Sequence, residues 1–412
     1  MVADRQGRRY QSGMNRINPV TERVLIAGAG PVGLVAAANL VRHGIPVTVF
    51  EGGADLSTES RASTFHPPTL DMLAGLDVAG PLIAQGLIAP KFQYRNRRDG
   101  LIAQFDFSDI ADQTRHPFRL QCEQSKLTRI ICDKLRGEPN FEIAFSTPVR
   151  AVTQDSDSVT VTVERDGKSE THSYRWLIGA DGARSDVRRS LDIEFEGFTW
   201  PDRYLVVSTP FDFHGVIPGL ATVSYVADPL RWHFLLQTPT LWRVMFRVAA
   251  EESDELALSE KFVEALMAEI VPGIDRYEVA HTTLYRVHQR VAKTFRRRRA
   301  FLIGDAAHVN NPLGGMGMNG GIHDAMNLTE RLIEVWRGKK PEAELDRFEQ
   351  QRRLVTKEYV ERQSIQNKRN LEAADNEFRD LLRRTASDPA LTRDYLLKVS
   401  MIGSLRRAEL LG

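Results

Sequence analysis

The sequence has little of what would place it in several large protein classes. Among 412 residues there are two cysteines, Cys122 and Cys132, ten apart on a predicted helix. That spacing excludes a C-x-x-C redox pair, and so few cysteines in a long chain indicate a reducing compartment. The net charge is +1, so no overall field favours nucleic acid or a membrane surface. The Arg296 to Arg299 run reads as a solvated turn ahead of a strand. No cluster of His, Cys and carboxylates has metal-ligand spacing, and no metal is expected. The most apolar stretch, Val24 to Val41, is long enough to span a membrane but has Pro31 and three glycines near its head, which fit a turn better than a spanning helix. Residues 1–20 are polar and basic with no signal-peptide core, and read as a loose leader or as residues ahead of a start near Met14. A cytoplasmic protein is expected.

What is present begins with VLIAGAGPVGLVAAANLVRH, Val24 to His43. An apolar strand runs into Gly28, Gly30 and Gly33 in the spacing G-x-G-x-x-G; an Ala/Leu/Val-rich helix follows until Gly44, and a second strand, Ile45 to Phe50, ends in Glu51. This is a βαβ dinucleotide-binding unit: the first glycine makes the turn, the second admits a pyrophosphate to the backbone, and the third lets helix pack on strand. The helix start offers free N–H groups and a positive dipole end, and Glu51 can accept from a ribose diol.

Hydrophobic residues make up 42% and charged residues 26%, the balance of a globular protein, and the length exceeds one ordinary core. Two intertwined domains are expected. Pro117 to Leu135 predicts a strand leading into an amphipathic helix with Leu127, Ile130, Ile131 and Leu135 on one face. Asp166-Gly167 marks a hairpin turn, and Thr199 to Arg286 reads as short alternating strands interrupted by a helix near Ser259 to Ile270. The pattern is α/β: a Rossmann-like nucleotide domain (20–90, 110–198, 299–340), an interleaved antiparallel-sheet substrate domain (91–109, 199–298) and C-terminal helices (341–412).

Two further strand ends carry glycine and acid: LIGADGARSDVR, Leu177 to Arg188, and FLIGDAAHVNNPLGGMGMN, Phe301 to Asn319. With the opening turn, these are the three fingerprints of the single-component FAD-dependent aromatic hydroxylases, the flavoprotein monooxygenase family of para-hydroxybenzoate hydroxylase, which the chain resembles from about Arg23 to Leu332. The resemblance implies FAD as cofactor, held by Gly28, Gly30, Pro31, Val32 and Gly33 at the pyrophosphate, Glu51 at the adenosine ribose and Arg61 near the diphosphate. It also implies Gln124 facing the cofactor, although Thr128 stands where the family usually has an acid. Val149 would border adenine, Asp305 the ribityl chain, and the backbone of Gly317, Met318 and Asn319 the flavin's pyrimidine edge. A helix beginning near Asn319 would aim N–H groups at the negative charge of reduced flavin. Glycines 314, 315, 317, 320 and 321 would keep side chains off the flat ring. Asp181 and Arg184 either brace the diphosphate and meet the nicotinamide, or Asp181 caps a helix starting near Ser185.

The resemblance further implies a transient NADH or NADPH reductant, molecular oxygen, and a flavin hydroperoxide that hydroxylates a small phenolic or heteroaromatic substrate. The pocket is expected between the antiparallel sheet and the Gly-rich loop. Tyr225 and His233 are the candidates to hydrogen-bond the phenol or relay its proton, with Pro312 and His308 beside the flavin. Arg231, Arg243 and Arg247 are the candidates to recognise a carboxylate. No nucleic-acid or membrane partner is expected, and self-association as a homodimer stays open. A flavin-dependent epoxidase, halogenase or reductase is an alternative, though no W-x-W-x-I-P run is present around the five tryptophans. A flavin-free lipid or partner carrier on the same fold is the remote one.

Overall fold

The computed structural model describes residues 21–58, 62–97, 99–228, 231–373 and 376–411. Residues 1–20 and Arg61 lie outside them. The apolar opening forms the Thr21–Ala27 strand, flanked in parallel by Lys168–Gly179 on one side and Val47–Phe50 on the other. Ala300–Leu302 and Phe141–Ala144 extend this parallel core outward. Its central strands are apolar on both faces, as a sheet covered by helices requires, and Val24, Leu25, Ile26, Trp176, Leu177 and Ile178 are fully buried. The helices Pro31–Arg42 and Met316–Trp336 pack against it and each other.

Val159–Arg165 and the first half of Lys168–Gly179 form the hairpin. Asp166 and Gly167 both adopt positive φ, 51° and 70°, which gives the tight primed turn whose twist suits a two-residue hairpin. The helix Gln124–Leu135 follows the short strand Arg119–Gln121. Cys132 lies on that helix, but Cys122 sits between strand and helix; both thiols are buried and free.

A second, eight-stranded sheet runs in the order 308–309, 281–292, 195–209, 242–248, 233–237, 223–227, 91–96, 100–106. All its pairings are antiparallel except that of Val223–Ala227 with Lys91–Asn96. Ser259 caps the Glu260–Ala268 helix through its hydroxyl and the Phe262 N–H, within the predicted span. From Asp346 the described residues are mostly helical, and helix Pro389–Val399 reaches back to the Phe107–Ile110 turn.

The basic run is a turn ahead of a strand with Arg297 and Arg298 exposed, as expected, but its two end arginines are engaged. Arg296 pairs with Asp346 at 2.7 Å and its side chain is 12% exposed, while the Arg299 guanidinium lies 4.8 Å above the Trp176 ring. The run is a hairpin, with Arg298 at its positive-φ corner, that fastens the parallel sheet to the C-terminal helices. Among the described residues no helix is long and apolar enough to cross a membrane, and no group of three His, Cys, Asp or Glu could hold a metal.

Candidate active site

Three motif-bearing strands end side by side, because Ala27 registers with Gly179 and Gly179 with Leu302. The turns that follow, Gly28–Gly33, Ala180–Ser185 and Gly304–Asp305, therefore lie in a row at the carboxyl edge of the sheet, where α/β folds bind ligands. The three glycines of the first turn do different things. A Cβ on Gly28, at φ 104°, would run into the Ala180 carbonyl, and one on Gly33 into the Gly28 carbonyl oxygen. A Cβ on Gly30 would meet nothing within 4 Å. Gly30 is also the N-cap of the Pro31–Arg42 helix, whose first turn contains no acidic side chain. The result is an open cradle of N–H groups with space in front of it, as an anion requires.

Glu51 stands beside this cradle. Its carboxylate accepts from the Ala29 N–H at 2.6 Å and the Gly53 N–H at 2.8 Å, so it orders the turn as well as presenting its remaining lone pairs. Thr147 N–H donates to the Glu51 carbonyl at 2.8 Å, which brings the strand starting at Val149 alongside. Gln124 opens its helix, and its N–H donates to Ala62 O at 3.0 Å; its side chain is outside the lining of the cavity described below. Asp181 accepts from the Val187 N–H at 3.0 Å and Ser185 Oγ from the Arg188 N–H at 2.8 Å, a double cap on Asp186–Ser190. Burial pushes the Asp181 carboxyl up. Arg184 is exposed, near enough to His288 to add, after burial, Arg290 and Arg286, to the lowering of that imidazole.

The Gly-rich loop feeds the Met316–Trp336 helix, which starts three residues before the expected point and is preceded by Gly315 at φ 66°. Gly317 and Met318, on its first turn, line the cavity; Asn319 does not. The Asn319 side chain is fully buried and acts as a clamp, donating to Thr64 O at 2.8 Å and Gly315 O at 2.6 Å and accepting from His66 N–H at 2.9 Å. The five glycines also differ from expectation. A Cβ on Gly321 would meet Val32 at 2.6 Å and Gly304 at 2.9 Å, so this glycine lets two helices and the Asp305 turn close on one another. Gly320 faces His308 at 3.4 Å. Of the five, 314, 315 and 317 border the cavity.

That cavity, about 740 Å³, lies between the loop 305–318 and the antiparallel sheet. Directly opposed residues on neighbouring strands share a face, and the registers give two rows across it. One row is Val223, Leu236, Arg243, Ser208 and His281; the other is Tyr94, Tyr225, Phe234, Met245, Val206 and Thr283. Tyr225 and Arg243 thus face the cavity, with Asp305 and Pro312 opposite. His233 does not reach it. It opposes Val226 and packs against Phe246, ring centroids 5.7 Å apart, on the other side of the sheet, and burial, with Arg97 adding, pushes its imidazole down to about 3. Arg231 shares that far face and pairs with Glu252 at 3.2 Å, while Arg247 is held by Asp202 at 3.0 Å. Of the three arginine candidates, Arg243 alone lines the cavity, donating to Ser63 Oγ at 3.0 Å; burial lowers its pKa from the ordinary arginine value.

Sequence reasoning missed two buried groups. Arg119, 3% exposed, donates to the Tyr225 hydroxyl at 3.3 Å behind the cavity wall. Asp324 accepts from His308 Nε2 and Arg352 Nε, each at 2.7 Å, and from Gly304 N–H at 3.2 Å.

A family model described as FAD binding domain matches residues 21–363. The chain belongs to this family. It is 34% identical over 395 residues to para-nitrophenol 4-monooxygenase of Pseudomonas sp. (strain WBC-3), covering 94% of this chain and 97% of that one. It is 36% identical over 355 residues to 6-hydroxy-3-succinoylpyridine 3-monooxygenase of Pseudomonas putida (strain DSM 28022 / S16), covering 85% and 89%. The crystal structure of p-nitrophenol 4-monooxygenase from Pseudomonas putida DLL-E4 superposes with a TM-score of 0.87 at 30% identity, covering 94% of this chain and 98% of that one. The protein is an FAD-dependent aromatic monooxygenase with NAD(P)H as reductant. Its own residues fit the cofactor: the Gly30 cradle is open where a diphosphate needs space, and the first turn of Met316–Trp336 faces a cavity wide enough for a flat ring.

Asp305 is exposed and lines the cavity from its turn. Asp305→Ala is expected to weaken FAD affinity about tenfold or more, the size of one charge-assisted hydrogen bond, with an unchanged urea midpoint for the apoprotein. FAD fluorescence titration checks this; unaltered affinity would remove Asp305 from the site.

Proposed function

We propose that this monooxygenase hydroxylates a small aromatic ring bearing an ionisable hydroxyl, a phenol or hydroxypyridine, in the cytoplasm with molecular oxygen as co-substrate. The observation that carries this is the cavity itself: Tyr225, Tyr285 and Arg243 enter it from the sheet, opposite the N–H groups of the Gly-rich loop. The names of two relatives, acting on para-nitrophenol and 6-hydroxy-3-succinoylpyridine, support the same chemical class. In this reading residues 20–90, 110–198 and 299–340 carry the cofactor, 91–109 and 199–298 roof the substrate, and 341–412 brace both.

Bound FAD would supply the chemistry that takes reducing equivalents from NAD(P)H and activates oxygen. The chain's part is placement. Gly28, Gly30, Pro31, Val32 and Gly33 receive the diphosphate, Glu51 the ribose, Val149 the adenine side and Asp305 the ribityl chain, while Gly317 and Met318 turn N–H groups toward the ring's polar edge. Val206, Val223, Phe234, Leu236 and Met245 line the roof with apolar surface that excludes water. Arg243 offers a charged donor fork to an anionic substituent, and the Pro312 carbonyl is engaged by Gly315 N–H at 3.0 Å, fixing the loop beneath the substrate.

Phenols and hydroxypyridines, added singly to holoenzyme, are expected to accelerate NAD(P)H consumption by tenfold or more, as a substrate that raises the rate of flavin reduction would. Acceleration by an alkene and by no aromatic hydroxyl compound would overturn the proposal.

A further inference from the structure

Behind Tyr225 lies a closed aromatic chamber with a cation inside it. The Arg119 guanidinium sits 4.7 Å from the Phe92 ring centroid and 5.4 Å from that of Phe107. It is 3% exposed, and among the described residues its Nε has no hydrogen-bond partner and its one side-chain hydrogen bond is to Tyr225. Among the described residues no carboxylate lies within ion-pair distance of it. A buried charge without a counter-ion is costly. Two aromatic faces offset part of that cost, and an anion on the far side of Tyr225 would offset more.

The hydrogen-bond chemistry fixes a direction. A guanidinium can only donate, so in the Arg119 contact the Tyr225 oxygen is the acceptor. The ring of Tyr225 stacks on Tyr94 at 5.3 Å and Tyr395 donates to the Tyr94 hydroxyl at 3.1 Å; among the described residues neither hydroxyl is within hydrogen-bond geometry of the Tyr225 hydroxyl, which leaves Tyr225 no protein acceptor there. The Tyr225 proton is left to point into the cavity that its side chain lines.

Resting on the reading under Proposed function, we infer that Arg119 is a positioning residue which, through the Tyr225 hydroxyl, makes the cavity select its substrate as the phenolate. The anion is taken from solution, so its proton stays in bulk buffer and no base in the site has to receive it. The groups facing this arrangement are Tyr94 and Tyr395 on the chamber side, His66 beside Arg119, and Tyr285, Arg243, Arg286, His281, His288 and Asp305 around the cavity. Burial holds His66 well below the ordinary imidazole value, with Arg119 adding to the shift, and pushes the Tyr395 hydroxyl up to about 12. Neither of these two changes charge near neutral pH.

The test uses oxidised holoenzyme without NAD(P)H, with 4-nitrophenol, 2-nitrophenol and 4-nitrocatechol as coloured probes titrated against pH. Wild type is expected to lower the apparent pKa of a bound probe by about one unit or more relative to the free probe, the effect of a nearby opposite charge. R119M should return the bound value to within about half a unit of free, R119K should retain most of the lowering, and Y225F, which keeps the cation but cuts the link, should lose at least half of it. FAD content reports folding of each variant; if R119M does not fold, R119K and Y225F decide. R119M or Y225F binding the probe more weakly with its pKa unmoved would overturn the inference and leave only a structural role. Failure of wild type to bind any probe would also overturn it, and the proposed function would fall with it only if the same compounds left NAD(P)H consumption unchanged.

Discussion

Gly33→Ala is expected to give little folded protein and no bound FAD, whereas Gly30→Ala should fold normally and still lose the cofactor. The two glycines are three residues apart in one turn, and their surroundings are opposite. A methyl at position 33 collides with the Gly28 carbonyl oxygen, a backbone atom that cannot rotate away, so the Pro31–Arg42 helix would have to lift off the central strand. Overpacking of a rigid core costs about 1–3 kcal/mol and more when backbone must move, and this contact is under the largest apolar cluster in the chain. At position 30 the same methyl enters space free of protein atoms within 4 Å. It would intrude on the open space before the helix N-terminus, where the diphosphate is proposed to sit, so the expected loss is at least tenfold in FAD affinity with an unfolding midpoint close to wild type. Urea unfolding of the apoproteins and FAD titration separate the two effects. Equal behaviour of the two variants would show that the turn is not divided between packing and ligand.

Arg352→Met carries the second large expectation. Arg352, Asp324 and His308 are 1%, 0% and 2% exposed, and Asp324 joins the Asp346–Val355 helix to the turn that carries Asp305. Burial alone would raise the Asp324 carboxyl, but His308 and Arg352 together hold it below the ordinary carboxylate range. Removing one partner of a buried pair leaves the other poorly compensated and costs about 3–5 kcal/mol. The pH dependence follows from the direction of the shift. A carboxyl with a depressed folded-state pKa contributes stability that is complete above its unfolded value, near pH 4, and is lost as pH falls through the folded value. Wild type should therefore lose stability more steeply than Arg352→Met below about pH 4, and the two curves should draw together there. A variant as stable as wild type at pH 7 would show that the pair contributes nothing net.

Much of this architecture is legible in the residues because the cofactor half rests on local signals. Gly28-x-Gly30-x-x-Gly33, the acid at 51, and strands ending in Gly179 and Gly304 are short motifs whose spacing reflects backbone contacts made within a few residues. The roof is less legible. Alternation within Arg231 to Gln237 shows that His233 and Phe234 point to opposite faces, but which face looks onto the cavity depends on the register with Val223–Ala227, a pairing set by the whole sheet. Tyr225 therefore lines the cavity while His233, a candidate on the same footing, lies on the far face. Arg119 gave no periodic signal, since its strand is three residues long. Asp324 and Arg352 are 28 positions apart on two helices, and an arginine in a charged tail looks solvated until that tail is seen folded over the flavin-loop helix. Gln124 bonds Ala62 O through its N–H, and Val149 follows the Thr147 contact to Glu51, so what each residue lies beside belongs to elements distant in sequence.

The most direct test of the whole account is the fate of labelled oxygen. With holoenzyme, NAD(P)H, ¹⁸O₂ and a phenol that stimulates consumption, one labelled oxygen atom should appear on the product ring for each NAD(P)H oxidised. Label absent from the ring, with all of the NAD(P)H accounted for by hydrogen peroxide for every compound tried, would contradict the claim that the cavity beneath the sheet presents an aromatic substrate to the flavin.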